Sequence, residues 1–168
     1  MTTVSGLDLR AAMGRFASGV AVVTTVTGGR PDGMTVNSLT SVSLDPPVLL
    51  VCLTESARST AAVLTAGRFA VSVLSAGQRS VALRFAARGA DHFAGLPLVY
   101  GDHTVPVVPE ALAHLECSIS GARHVGDHVV IFGEVGRVCY REGTPLAFHA
   151  GRFGSFTDHG EDPVPWFF

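Results

Sequence analysis

The sequence predicts a mainly β fold, an antiparallel barrel with a few short helices packed outside it. Runs of β-branched residues recur along the chain, and the clearest hairpin signal joins two long extended stretches. Crossover helices are too few and too short for a doubly wound sheet. No repeat, low-complexity stretch or linker divides residues 1–168, so one domain is expected.

The elements follow in order. Ser5 with Asp8 three residues later is a helix N-cap signal, and Leu9, Ala12, Met13 and Phe16 recur at helical spacing, which predicts an amphipathic helix within residues 1–16. Residues 20–25, Val-Ala-Val-Val-Thr-Thr, form an extended run. A Gly28-Gly29 turn leads to a second run over 32–37, giving a hairpin. Pro46-Pro47 separates a short run at 41–44 from residues 48–53, whose unbroken apolar character predicts a strand buried on both faces. A helix is expected over 59–66, a strand over 69–74 and another helix over 78–87. Residues 88–109, with several Gly and Pro, read as a long irregular connection. From 113 to 140 two β-type runs flank Gly126-Asp127, a dipeptide suited to a two-residue turn. Short extended pieces at 146–149 and 153–157 precede a C-terminal tail over 158–168, acidic and aromatic from residue 161.

Composition narrows the function. The chain is 47% hydrophobic and 15% charged, which excludes a disordered protein and points to apolar surface covered by self-association. Net charge is −2 and the arginines are scattered, so no electrostatic footprint for nucleic acid is present. Lysine is absent, so any phosphate held by a side-chain cation must be held by arginine. Cys52, Cys117 and Cys139 are odd in number and far apart, as expected of reduced residues in a cytoplasmic protein. The N-terminus lacks the regions of a secretory signal and no stretch approaches a membrane span, so a soluble protein that keeps clear of the membrane is expected. The histidines are not at metal-ligand spacing, and no metal is expected.

Signatures of the common nucleotide folds and of the hydrolase and metalloprotease motifs are missing. In their place stands a dense set of small polar side chains, Thr35, Asn37, Ser38, Thr40, Ser41 and Ser43, between two strands. These can hydrogen-bond a polar heterocycle or a phosphate without adding bulk, and they serve equally as turn and strand residues. A second cluster, Thr54-Glu55-Ser56-Ala57-Arg58-Ser59-Thr60, leads into the 59–66 helix. There hydroxyls, helix N-terminal amides and Arg58 can converge on a phosphate, or simply form an N-cap beside a solvated arginine. His128 follows the Gly126-Asp127 turn and His149 lies in a Phe-His-Ala-Gly-Arg-Phe stretch; either serves as a functional group or as an ordinary strand histidine.

Taken in order, Phe16-Ala17-Ser18-Gly19-Val20, then Gly33-Met34-Thr35-Val36-Asn37-Ser38 running to Ser41-Val42-Ser43-Leu44-Asp45-Pro46-Pro47, then Phe93-Ala94-Gly95 and Gly126-Asp127-His128 resemble the short-chain flavin reductases, the reductase components of two-component flavin-dependent monooxygenases. The resemblance covers residues 16 to about 156. It implies a Greek-key split β-barrel forming a homodimer, with a flavin, FMN or FAD, near the subunit contact and NADH or NADPH as reductant. Carried over residue by residue, Met34, Thr35, Val36, Asn37, Ser38 and Ser41 line the isoalloxazine and ribityl chain, with Cys52 and Leu53 nearby. Ser56, Ala57, Arg58 and Ser59 hold the phosphate, assisted by Arg84 and Phe85. His128 and the Phe148, His149, Gly151 and Arg152 segment face the nicotinamide nucleotide, with His128 in the catalytic role of positioning it. His149-Ala150 departs from the Tyr-Arg or His-Arg that relatives often carry before the glycine. The activity implied is hydride transfer to flavin and supply of reduced flavin to a monooxygenase. The residues leave open two alternatives: a flavoprotein that keeps FMN bound and passes electrons to another acceptor, or a non-enzymatic flavin-binding protein.

Overall fold

A computed structural model describes residues 3–89, 91–97, 99–100 and 105–160. In chain order the elements are α1 (Gly6–Met13), β1 (Ser18–Gly19), β2 (Ala21–Thr27), β3 (Arg30–Val36), β4 (Thr40–Leu44), β5 (Pro47–Thr54), α2 (Arg58–Ala66), β6 (Arg68–Val73), a 3-10 turn (Ala76–Gln78), α3 (Arg79–Ala86), β7 (Val99–Tyr100), β8 (Pro106–Val107), β9 (Ala113–Val125), β10 (His128–Tyr140), β11 (Leu146–His149) and β12 (Arg152–Ser155). The protein is mainly β with few helices, as expected. The aromatic part of the tail, 161–168, lies outside the described residues.

Seven antiparallel strands form one sheet in the order β3-β2-β6-β9-β10-β5-β4, and β1, β11 and β12 form a smaller one. Its centre is the β9–β10 hairpin, where Gly126 takes the positive φ of +60° that the tight turn demands. The sheet curls, because Val23 of β2, Val36 of β3, Val51 and Leu53 of β5, Phe69 of β6 and Ile131 of β10 all meet in one buried cluster. The curl stops short of a closed ladder: among the described residues the edge strands β3 and β4 pair with no common neighbour across the gap. Beside that gap, at the junction of β3 and β4, a side chain binds the backbone of β5. Ser38 Oγ donates to the Cys52 carbonyl at 2.8 Å and accepts from the Cys52 N–H at 3.1 Å, standing in for a ladder rung between the end of β3 and β5.

Three expectations are corrected by the packing. The strand buried on both faces is β2, whose residues 21–25 are all buried, whereas β5 alternates between buried and partly exposed positions. The physical reason is layering: Val23 faces the interior of the curled sheet, while Val22 faces a second cluster with Phe85 of α3 and Leu146 of β11. Helix α1 has the predicted capping box between Ser5 and Asp8, yet buries none of its residues, so Leu9 and Met13 are exposed, and so is Phe16 beyond its end. The 88–109 connection contains the β7–β8 pair, and its Val105, Val107 and Val108 are buried.

Cys117 is buried in the core cluster, and desolvation together with the Glu116 carboxylate pushes its thiol up to about 12. Among the described residues no helix is long and apolar enough to cross a membrane, and no group of three or more His, Cys, Asp or Glu is placed to hold a metal ion.

Candidate active site

A cavity of about 620 Å³ is lined by Phe16, Ser18, Gly19, Asn37, Ser38 and Cys52 among others. A second, of about 630 Å³, adjoins it at Met13, Phe16 and Asn37 and runs to Phe148, His149 and Gly151. A third, of about 510 Å³, is lined by Met34, Thr35, Ser56, Ala57, Arg58 and Ser59, with Phe85, Arg88 and His92 as its far wall.

The first cavity is half-covered and mostly apolar, with one group that asks for a partner. Ser18 Oγ is buried and makes no hydrogen bond among the described residues. A buried hydroxyl left without a partner costs about 1–3 kcal/mol, so a ligand atom that completes it is favoured. Ser38, by contrast, spends its hydroxyl on the Cys52 backbone.

The third cavity is also mostly apolar, but its lining includes two arginines, Arg58 and Arg88. Asp32, on β3, accepts from Arg58 Nε at 2.7 Å, from Ser59 Oγ at 2.5 Å and from the Gly33 N–H at 2.8 Å. Arg58 opens α2, whose N-cap residue Ala57 offers no side-chain hydrogen bond, so the N–H groups of Arg58 and Ser59, two residues of the cavity lining, have no side-chain cap. His92 ties the far wall in place: its Nδ1 lies 2.9 Å from the Gly33 carbonyl and its Nε2 2.7 Å from that of Ala87. Its ring and that of Phe93 both lean on Phe85.

The first and second cavities share Met13, Phe16 and Asn37, whereas the third has its own lining, built on β3, the start of α2 and the end of α3. The flavin reductase like domain family matches residues 13–157. The chain belongs to that family.

The named relatives agree on activity. The chain is 45% identical over 150 residues, 89% of this chain and 86% of its counterpart, to the FMN reductase (NADH) SmoA of Agrobacterium fabrum. It is 37% identical to HsaB of Rhodococcus jostii, a flavin-dependent monooxygenase reductase subunit, over 94% of this chain and 81% of that one. Among solved structures, the NADH:FAD oxidoreductase SgcE6 of Streptomyces globisporus, in complex with NAD and FAD fragments, superposes with a TM-score of 0.86 at 39% identity, covering 96% of this chain and 100% of that one. These names bear out the expectation of an enzyme that reduces flavin with a reduced nicotinamide, in a family that includes monooxygenase reductase components, and they name NADH where the sequence left NADH or NADPH open.

Within this flavin reductase, the predicted site residues divide. Asn37, Ser38 and Cys52 reach the first cavity, Phe148, His149 and Gly151 the second, and Met34, Thr35, Ser56, Ala57, Arg58, Ser59 and Phe85 the third. Thr35 faces α3 instead of the ring cavity, donating its hydroxyl to the Ala82 carbonyl at 2.7 Å. Val36 and Leu53 turn their side chains into the core, because strand alternation carries them to the opposite face from their neighbours. Ser41 and Arg152 line none of the three cavities, and neither does Arg84, which donates from Nη1 to the Ala94 carbonyl at 3.0 Å and so secures the following loop.

His128 also stands off the three cavities. It sits opposite Thr54 at the start of β10, half-buried, with Nδ1 2.8 Å from Asp127 Oδ1 and Nε2 3.5 Å from Thr54 Oγ1. The hydrogen bond with His128 holds the Asp127 carboxyl below its ordinary value.

Several residues escape sequence reasoning. Ser18 lies within the Phe16–Val20 motif, yet only its buried hydroxyl without a partner singles it out. Arg88 and His92 fall in the stretch read as irregular. Asp32 reads as an ordinary hairpin residue; its proximity to Arg58 depends on α2 folding back over β3.

Proposed function

We propose that this protein catalyses NADH-dependent reduction of FMN or FAD and releases reduced flavin to a monooxygenase component, acting as a cytoplasmic homodimer. The observation that carries the reading is one cavity holding the unpartnered Ser18 hydroxyl beside Asn37 and Cys52, together with another lined by Arg58, Arg88 and the start of α2. In this reading the gap between β3 and β4 is the split of a Greek-key split β-barrel. The exposed apolar face of α1, with Met13 and Phe16 bordering both the first and second cavities, is covered by a second copy of the chain.

Bound flavin supplies the hydride acceptor and the nicotinamide the donor, so the protein's task is positioning and not nucleophilic attack. Asn37, Ser18 and the backbone of 35–38 hold the polar edge of the ring and stabilise the negative charge that builds there on reduction. Cys52 and Leu53 lie beneath, the latter as support from the core. Arg58, Arg88 and the uncapped start of α2 hold the phosphate, flanked by Ser56 and Ser59. Phe148, His149 and Gly151 border the donor's side, and His128 orients the nicotinamide nucleotide from the rim at β10.

Steady-state oxidation of NADH, with and without added FMN or FAD, tests the reading. Activity that depends on added flavin, from a species of twice the chain mass by light scattering, is the expected result. Purification with flavin bound and turnover only with a second acceptor would identify a different kind of flavoprotein reductase. Absence of NADH oxidation in every condition would remove the enzyme reading.

A further inference from the structure

The Asp32 carboxylate has no task in the reading above. Its side chain is 11% exposed, whereas that of its partner Arg58 is 68% exposed. The contact is one-sided in an informative way. Asp32 engages Arg58 only at Nε, and among the described residues neither Nη takes part in a hydrogen bond or ion pair. The other Asp32 oxygen is occupied by Ser59 Oγ and the Gly33 N–H, so the carboxylate is itself fixed by the strand and by the first turn of α2.

An exposed arginine on its own samples many rotamers, and ordering it on binding an anion costs conformational entropy. An anchor at Nε removes most of that freedom while leaving the outward-facing donors of the guanidinium fork available for two parallel bonds to a phosphate. A competing effect has the opposite sign, because the carboxylate offsets the arginine's charge and so weakens its pull on an anion. Both effects act well inside the screening length of about 8 Å at physiological salt, so salt does not separate them; the sign of the change in phosphate binding when the carboxylate is neutralised does.

We propose that Asp32 is a positioning residue that holds Arg58 by Nε so that its two terminal Nη groups present a preformed fork to the phosphate of the flavin. The proposal rests on the assignment of the third cavity to that phosphate, and it explains why this strand keeps a carboxylate next to an anion site. Asp32 touches no substrate and acts through Arg58 alone. Its contribution therefore grows with the phosphate and vanishes for a flavin that lacks one.

The test compares FMN with riboflavin, which carries the same ring and ribityl chain without phosphate, using quenching of flavin fluorescence to obtain Kd. Asp32→Asn keeps the shape and the backbone contact of the side chain; it is expected to weaken FMN about tenfold and riboflavin less than about twofold. In an Arg58→Ala background the same change is expected to have no further effect on FMN. Arg58→Lys, which leaves the strand untouched and keeps the charge, is expected to lose FMN affinity to a similar degree, since an ammonium lacks the fork. Tighter FMN binding by Asp32→Asn would mean that the carboxylate only masks charge, and equal losses for FMN and riboflavin would mean that it only maintains the fold. Either result overturns the proposal, as does unchanged FMN affinity in Arg58→Lys. If Arg58→Ala weakens FMN and riboflavin alike, the phosphate assignment itself fails.

Discussion

Gly33→Ala is expected to destabilise the protein by about 1–3 kcal/mol and to weaken flavin binding at the same time. A Cβ at this position would lie 2.8 Å from the Val23 carbonyl and 3.1 Å from both Phe85 Cε1 and Thr24 Cγ2. Val23 belongs to the doubly buried strand β2 and Phe85 is 2% exposed, so neither neighbour has room to retreat. The strain falls on β3, and β3 carries the site. The Gly33 carbonyl accepts from Ser59 Oγ at 3.0 Å and faces His92 Nδ1 at 2.9 Å, so shifting it loosens both walls of the third cavity. Urea unfolding monitored alongside an FMN titration checks both effects. A variant within 0.5 kcal/mol of wild type, by the usual tolerance of surface positions, would show that β3 yields freely and is no rigid support for the site.

Phe69→Ala carries the largest expected loss of stability, about 3–5 kcal/mol, through the cavity it opens at the centre of the curled sheet. Phe69 is fully buried on β6, and its ring covers Gly133 so closely that a Cβ there would sit 2.6 Å from Cζ and 2.9 Å from Cys117 Cβ. The missing side chain at 133 is what lets the ring lie flat beside the irregular register between Phe132 and Gly133 on β10. Gly133→Ala alone is therefore expected to destabilise as well, whereas the double substitution should cost less than the sum, because the added methyl enters the space the ring vacates. Strict additivity in urea unfolding would mean that the two positions do not compete for one space. Since Phe69 lines none of the three cavities, FMN affinity of the folded variant is expected to stay near wild type.

The parts of the fold written in short-range patterns were legible. The β9–β10 hairpin follows from two β-branched runs around Gly126-Asp127, the capping box of α1 from Ser5 and Asp8, and helix α2 from residues that the reading placed within one position of its observed start. Such features depend on neighbours a few residues apart, and their physics is local. Burial was legible only in part. The apolar run at 48–53 gave a true strand, but which strand is covered on both faces depends on where α3 and the small sheet settle, and they settle on β2.

What the sequence determined by itself is the longer strands, though not β1 or the β7–β8 pair, the absence of lysine that leaves arginine as the only fixed side-chain cation for a phosphate, and the ordered motifs that place the chain among the flavin reductases. The tertiary structure alone decided how these are used. Ser38 binds a backbone 14 residues away, and Asp32 anchors an arginine 26 residues away. Ser18 is left without a partner at a cavity wall, and α1 keeps its apolar side outward. The reason is common to all four: each depends on a contact, or on the lack of one, between segments that the curl of the sheet brings together, and the energy of such contacts has no counterpart in the local sequence pattern.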